Sequence, residues 1–166
     1  KRRSQVSAER MVEDWAQLWL EGETPSFALQ FRREAGVLRA FPELCALIDG
    51  PQDPGWHPEG DVWIHTLMVL DVASGLRVGN ASDDALMFAA LCHDLGKPMT
   101  TEVDEDTGRI RSLAHEHEGV AVTQGFLGAM RAPQELIRGV RALALDHRAP
   151  APFPPPGAGR GAHRRP

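Results

Sequence analysis

The chain has 166 residues, 42% of them hydrophobic, and a formal net charge of -5. That length suffices for one compact domain with a real core, and the negative balance argues against sequence-blind binding of long duplex nucleic acid, which needs a continuous basic surface. No apolar run approaches the roughly 18 residues of a membrane span and no signal-peptide core opens the chain; with Cys45 and Cys92 in apolar runs away from any CxxC pattern, the sequence reads as a cytosolic protein with buried thiols.

Helical periodicity dominates and period-2 alternation is nearly absent, which predicts an all-α fold. Ser7, Glu9 and the apolar positions Met11, Trp15, Leu18 and Trp19 predict a capped amphipathic helix ending near Gly22. A second helix runs from Pro25 to Glu34 and stops at Gly36. Pro42 opens a short third one through Leu44, Leu47 and Ile48, closed by Gly50-Pro51. Residues 50–60 form a loop punctuated by proline and glycine, of the kind that often carries function. Asp61 to Leu76 is a strong helix with Val62, Leu67, Met68, Val69, Leu70 and Val72 as core candidates and His65 on or near the buried face. Ser82, with Asp84, is expected to cap a nearly all-apolar helix that runs to Asp94 and is stopped by Gly96-Lys97-Pro98. Residues 100–111 are polar, with Asp104-Glu105-Asp106-Thr107-Gly108 as the turn of a small hairpin. Two further helices cover Leu113 to Arg131 and Pro133 to His147. The Pro/Gly/Arg-rich stretch 149–166 cannot bury enough apolar surface to fold and is expected to be a tail or linker.

The chemistry concentrates in a few side chains. His65, His93, Asp94, His115, His117 and His147 lie on four separate predicted helices that could present them to one centre. Imidazole and carboxylate together suit iron, manganese, nickel, cobalt or magnesium better than a thiolate-preferring ion. Successive helix residues project about 100° apart, so His93 and Asp94 are expected to enter such a centre differently, with the aspartate bridging two ions or binding from the side. One ion or two are both allowed. In the run His115-Glu116-His117-Glu118, His115 is taken as the inward residue and His117 as solvent-facing. Of Asp146 and His147, the histidine is the stronger candidate, although a helix C-terminus that simply favours an imidazolium explains the pair equally well. Lys97 is one of only two lysines in the chain, the other being Lys1; it reads either as a solvated helix-end residue or as a contact to phosphate.

The run Pro51-Gln52 through Trp56-His57-Pro58-Glu59-Gly60-Asp61-Val62-Trp63-Ile64-His65-Thr66, then Ala90-Leu91-Cys92-His93-Asp94-Leu95-Gly96-Lys97, followed by Gly108-Arg109-Ile110-Arg111 and His115-Glu116, resembles the HD phosphohydrolase domain attached to bacterial tRNA nucleotidyltransferases, the CCA-adding enzymes. Similar HD modules are fused to a polynucleotide kinase in end-healing proteins. The likeness extends from about Ser7 to His147, and its paired motifs are far more specific than an isolated His-Asp dipeptide. It implies an HD-domain helical fold over residues 1–148, with metal ligands at His65, His93 and Asp94, joined by His115 and His147. It also implies 2',3'-cyclic phosphodiesterase and phosphomonoesterase activity on nucleotides or RNA ends.

On that reading a divalent ion, whether manganese, nickel, cobalt or magnesium, activates water toward phosphorus. Lys97, Arg109 or Arg111 contacts the phosphate, and His115 or His147 binds a second ion or protonates the leaving ribose oxygen. Asp94, Lys97 and His115 are the expected catalytic residues. His57 and Glu59 either line the entrance or brace the loop. The chain departs from the family pattern in lacking a nucleotidyltransferase head and a P-loop, so a chain opening at Lys1 is expected to be a piece of something larger, with a nucleotidyltransferase or kinase domain fused or removed. It also lacks a late aspartate beyond His147, so that either Asp146 serves or the histidines suffice. Two competing readings are a silent HD-like module that binds RNA or nucleotide, and an enzyme of the same fold acting on 5'-nucleotides or cyclic dinucleotides.

Overall fold

A computed structural model describes residues 12–17, 22 and 24–147. The first predicted helix is seen over residues 12–17, where Trp15 is buried in edge-to-face contact with Phe41 and Phe126. Its predicted ends at Ser7, Met11, Leu18 and Trp19, like the tail 149–166, lie outside the described residues.

Helix α1 spans Pro25–Glu34, opened by a proline in its first turn and followed by Gly36 at φ 74°, a left-handed conformation that glycine adopts without a Cβ penalty. A 3-10 turn, Val37–Ala40, leads into the short α2, Pro42–Cys45. This helix ends before the predicted Leu47, which is nonetheless fully buried in the turn that follows. After the loop of residues 50–60 comes α3, Val62–Ser74, whose N-cap Asp61 accepts the Ile64 backbone N–H at 2.8 Å through one oxygen and the Asp49 N–H at 2.8 Å through the other. Val62, Trp63, Thr66, Leu67 and Leu70 face the core. Met68 and Val72, expected in the core, are exposed, because with Ile64 they form an i, i+4 stripe on the outer side of the helix.

Helix α4, Ser82–Cys92, is buried continuously from Met87 to Cys92, as a central helix must be when it is apolar all round. It packs between α3 and the last helix, α7. Its start differs from expectation: no side chain caps it at Ala81, and Asp83 instead accepts the Val78 and Gly79 N–H groups at 3.0 and 2.7 Å. Its end differs too. The helix closes at Cys92, residues 93–96 form turns, and Pro98, expected to stop a helix, lies in the first turn of the one-turn α5, Lys97–Thr100. Proline at that position has no intrahelical N–H to lose. The predicted hairpin forms from β1, Thr101–Val103, and β2, Ile110–Ser112, antiparallel with Thr101 opposite Ser112 and Val103 opposite Ile110. Helices α6, His115–Ala129, and α7, Gln134–Asp146, complete the fold and pack on each other.

The turn of residues 93–96 runs hard against the start of α6. A Cβ on Gly96 would lie 2.0 Å from the His115 carbonyl oxygen and 2.6 Å from the Gly119 nitrogen. Only glycine at position 96 permits that approach, which brings His93, Asp94 and His115 to one point. No described helix is long and apolar enough to cross a membrane.

Candidate metal centre

The polar residues of the core gather where the ends of four helices meet. His65 projects from the first turn of α3, His93 and Asp94 from the turn after α4, His115 from the first residue of α6, and His147 from the residue after α7. Asp94 is at the middle, 1% exposed. Its Oδ2 lies 3.1 Å from His93 Nε2 and 3.8 Å from His65 Nε2, and its Oδ1 lies 3.1 Å from His115 Nε2 and 4.0 Å from His147 Nε2. The donor atoms of His65, His93 and Asp94 lie within 4.8 Å of one another, as do those of Asp94, His115 and His147. Two triads thus share one carboxylate, an oxygen to each. His93 and Asp94 do reach the same hole, with His93 Nε2 and Asp94 Oδ2 3.1 Å apart.

Hydrogen bonds fix which nitrogen each ring offers. Nδ1 of His93 donates to the Ala90 carbonyl at 2.8 Å, that of His115 to Ser112 at 2.8 Å and that of His147 to Ala144 at 2.6 Å. His65 Nδ1 donates to Glu59 Oε1 at 2.7 Å, and His57 Nδ1 meets the same oxygen at 2.9 Å. A carbonyl or carboxylate can only accept, so each neutral ring carries its lone pair on Nε2, toward Asp94. Four lone pairs and a carboxylate therefore converge. Asp94 Oδ2 is met by the Lys97 ammonium at 2.8 Å, whereas His115 Nε2 and His147 Nε2 lie 3.2 Å apart and His93 Nε2 is buried without a hydrogen-bond donor. Buried acceptors left in this way carry a desolvation cost that a cation between them removes. The donor set fits a divalent ion with nitrogen and oxygen preference, and the outer acceptors on Nδ1 are the usual orienting partners of ligating imidazoles.

The ionisation of the centre agrees with that role. Burial pushes the Asp94 carboxyl up, but His93 and His115 in their protonated forms, together with the Lys97 ammonium, hold it well below the usual carboxylate range in the ion-free centre. His65 and His147 are lowered from their ordinary 6.5, in both cases chiefly by burial and further by the neighbouring His93. Glu59 is raised by burial, yet its own backbone N–H and the rings of His57 and His65 bring it down to about 2.

These shifts set a pH dependence. In metal-stripped protein the unfolded chain takes up protons at His65 and His147 first as the pH falls through 6.5, so stability is flat above that value and declines below it until the folded-state pKa values are reached. Added divalent ion should raise the melting temperature, by the equivalent of about 2.7 kcal/mol at a hundredfold excess over Kd, and the gain should shrink over the same acid window because protons compete for Nε2. Melting curves with and without metal across that range check both, and a metal-induced gain that grows on acidification would contradict the assignment.

Of the other residues singled out from sequence, Lys97 is not a solvated helix-end lysine. It is 6% exposed, with Nζ 2.8 Å from Asp94 Oδ2 and 2.5 Å from Gln52 Oε1. Arg109 and Arg111 are exposed and neither lines the cavity, whose hairpin residues are Ile110 and Ser112. Side chains alternate along a strand, so a register that turns Ile110 and Ser112 inward turns the arginines out, Arg111 lying opposite Glu102. His117 and Asp146 are exposed, while His115 is buried and His147 half-buried. Sequence reasoning placed Gln52 within a motif but gave it no role. It is buried, donates to the Gly60 carbonyl at 3.2 Å and accepts from Lys97; the signal available was that a lone lysine beside a buried aspartate needs a second polar partner.

The centre forms the floor of an open cavity of about 290 Å³. Gln52, Asp53, Trp56 and His57 border it on the loop side, Ile110 and Ser112 on the hairpin side.

Comparison with known proteins agrees with this geometry. The HD domain family model matches residues 62–162. The chain is 35% identical over 145 residues, 87% of its length, to the multifunctional CCA protein of Aliivibrio salmonicida, and 35% identical over 144 residues to that of Vibrio cholerae. To the multifunctional CCA protein of Xanthomonas campestris it is 42% identical over 113 residues, 67% of the chain. It spans 33% of the length of the first two of these curated relatives and 26% of the third.

Proposed function

The chain belongs to the HD domain family, in general a family of metal-dependent hydrolases, and we propose that its centre hydrolyses 2',3'-cyclic phosphodiesters and phosphomonoesters of nucleotides or RNA ends. The observation that carries this reading is the convergence of four Nε2 lone pairs on one buried carboxylate, at the floor of a cavity open to solvent. A silent binding module would have no use for a His93 Nε2 buried without a donor beside three more imidazole lone pairs.

His65, His93 and Asp94 would hold one manganese, nickel, cobalt or magnesium ion, and Asp94, His115 and His147 would form the seat of a second where two bind. A divalent ion there supplies Lewis acidity toward a phosphoryl oxygen and a lowered pKa for water. The protein's own groups do the rest. Lys97, fixed between Asp94 and Gln52, places a buried positive charge beside the transferring phosphoryl group. His147, with Nδ1 committed to the Ala144 carbonyl, would serve in one of two ways: as a ligand of a second ion through its Nε2 lone pair, or, with no ion on that nitrogen, as an imidazolium that gives its Nε2 proton to a leaving ribose oxygen. Arg109 and Arg111 take no part in this scheme. The domain boundaries proposed are 1–148 for the catalytic unit and 149–166 for a linker or tail, with a nucleotidyltransferase or kinase domain as the covalent partner in the longer protein.

Chelator-stripped protein, incubated with a 2',3'-cyclic nucleotide and one added ion at a time, should convert it to monophosphate or nucleoside only when an ion is present. Folded protein inert with all four ions would overturn the phosphoesterase reading.

A further inference from the structure

We propose that Trp56 is the seat for the nucleobase of the nucleotide whose phosphate lies on the metal centre, an inference that rests on the reading above. Trp15 and Trp63 are buried, whereas Trp56 is 79% exposed. A lone exposed aromatic residue needs no explanation by itself, but this one borders the catalytic cavity. Trp56 and Ile110 are the two apolar side chains among the residues that line it.

The loop that carries Trp56 is tied down on both sides of it. Before it, Gln52 binds Lys97 and the Gly60 carbonyl. After it, the ring of His57 lies edge-on to His65, with centroids 4.6 Å apart, and both rings bind Glu59. Between these anchors, Asp53 closes a tight turn. Its carbonyl accepts the Trp56 and His57 N–H groups at 3.0 and 2.9 Å, and its side chain accepts the Gly55 N–H at 2.8 Å. Trp56 is therefore exposed and yet held at a fixed place, one residue from a side chain in contact with His65.

An indole presented in this way offers a flat, sequence-tolerant surface on which any base can stack, with Ile110 as the other apolar side chain of the lining. Nothing on the lining supplies a built pattern of base-edge donors and acceptors, so the seat is expected to favour a base over no base more than one base over another.

The test compares 2',3'-cyclic AMP with glycerol 1,2-cyclic phosphate, which presents the same five-membered cyclic diester without a base. Trp56→Ala should raise KM for the nucleotide about tenfold, equal to ~1.4 kcal/mol, with kcat nearly unchanged, and should leave kcat/KM for the glycerol ester as in the wild type. Trp56→Phe should restore most of the loss. Equal losses on both substrates would mean that the residue only braces the loop, and no loss on either would mean that it touches nothing; both overturn the proposal. An oligoribonucleotide ending in the same cyclic phosphate identifies the source of the base: an equal penalty seats RNA ends there, and a penalty confined to the mononucleotide restricts the seat to free nucleotides. Should the wild type turn over neither ester with any ion, the phosphoesterase reading fails, and the seat is judged by AMP quenching of indole fluorescence. A quench lost in Trp56→Phe supports it, and its absence in the wild type overturns it.

Discussion

Asp94→Asn is expected to lower metal-dependent turnover by about a hundredfold to a thousandfold or more and, separately, to destabilise the fold. The two effects have different origins. Turnover falls because the carboxylate is shared by both triads, and an amide supplies neither the charge nor the second equivalent oxygen. Stability falls because Lys97, 6% exposed, loses its counter-ion and keeps a neutral amide, Gln52, as its remaining polar partner; breaking a buried pair on one side costs about 3–5 kcal/mol. The double variant Asp94→Asn/Lys97→Met separates them. With the buried charge removed, most of the stability should return while turnover stays lost, so that denaturant midpoints and activity part company across the double-mutant cycle. Turnover recovered in the double variant would place the catalytic role elsewhere.

Gly96→Ala should be the most damaging one-methyl change in the chain, costing about 3 kcal/mol or more. The atoms that its Cβ would strike, the His115 carbonyl and the Gly119 nitrogen, belong to backbone and cannot rotate aside, so the first turn of α6 must move. His115 moves with it, and the Nδ1 bond to Ser112 that aims its ring is disturbed. Metal affinity should therefore fall together with stability. Gly119→Ala is the control from the other side of the same crossing. Its Cβ would meet Gly96 nitrogen at 3.2 Å, a few tenths of an ångström too close, and its cost should be clearly smaller. Denaturation midpoints and metal titrations of the two variants give the order, and equal stabilities would mean that the segments do not cross as described.

Much of the fold was legible because its helices are punctuated. Pro25 and Gly36 bracket α1, Asp61 caps α3, and the unbroken apolar run 85–92 could only be a central helix. The histidine and aspartate positions that meet at the centre were also readable, since imidazoles on apolar helix faces and at helix ends have few other uses in combination. What failed was the information that depends on register and on distance along the chain. Pro98 carries the same local signal whether it stops one helix or opens the next. The inward or outward sense of Arg111 depends on a one-residue choice of hairpin register, which a weakly amphipathic pair of three-residue strands does not declare. Gln52 meets Lys97 across 45 residues, beyond the reach of any periodicity.

Three of the four rings around Asp94 are aimed in the same way. His93, His115 and His147 each bind the carbonyl three residues earlier, at Ala90, Ser112 and Ala144, so each carries its own aiming device within a single turn of chain. His65 differs in being directed by a side chain, Glu59 of the loop, six residues earlier. Preorganisation of this kind leaves little rotamer freedom to be lost when an ion arrives, and the free energy of binding goes into fastening α3, α6, α7 and the turn after α4 to one another. An ion bound there would act as a clasp as well as a catalyst, tying the residue after α7 to the starts of α3 and α6, and the loop bearing Glu59 is a place from which its grip could be loosened without touching a ligand.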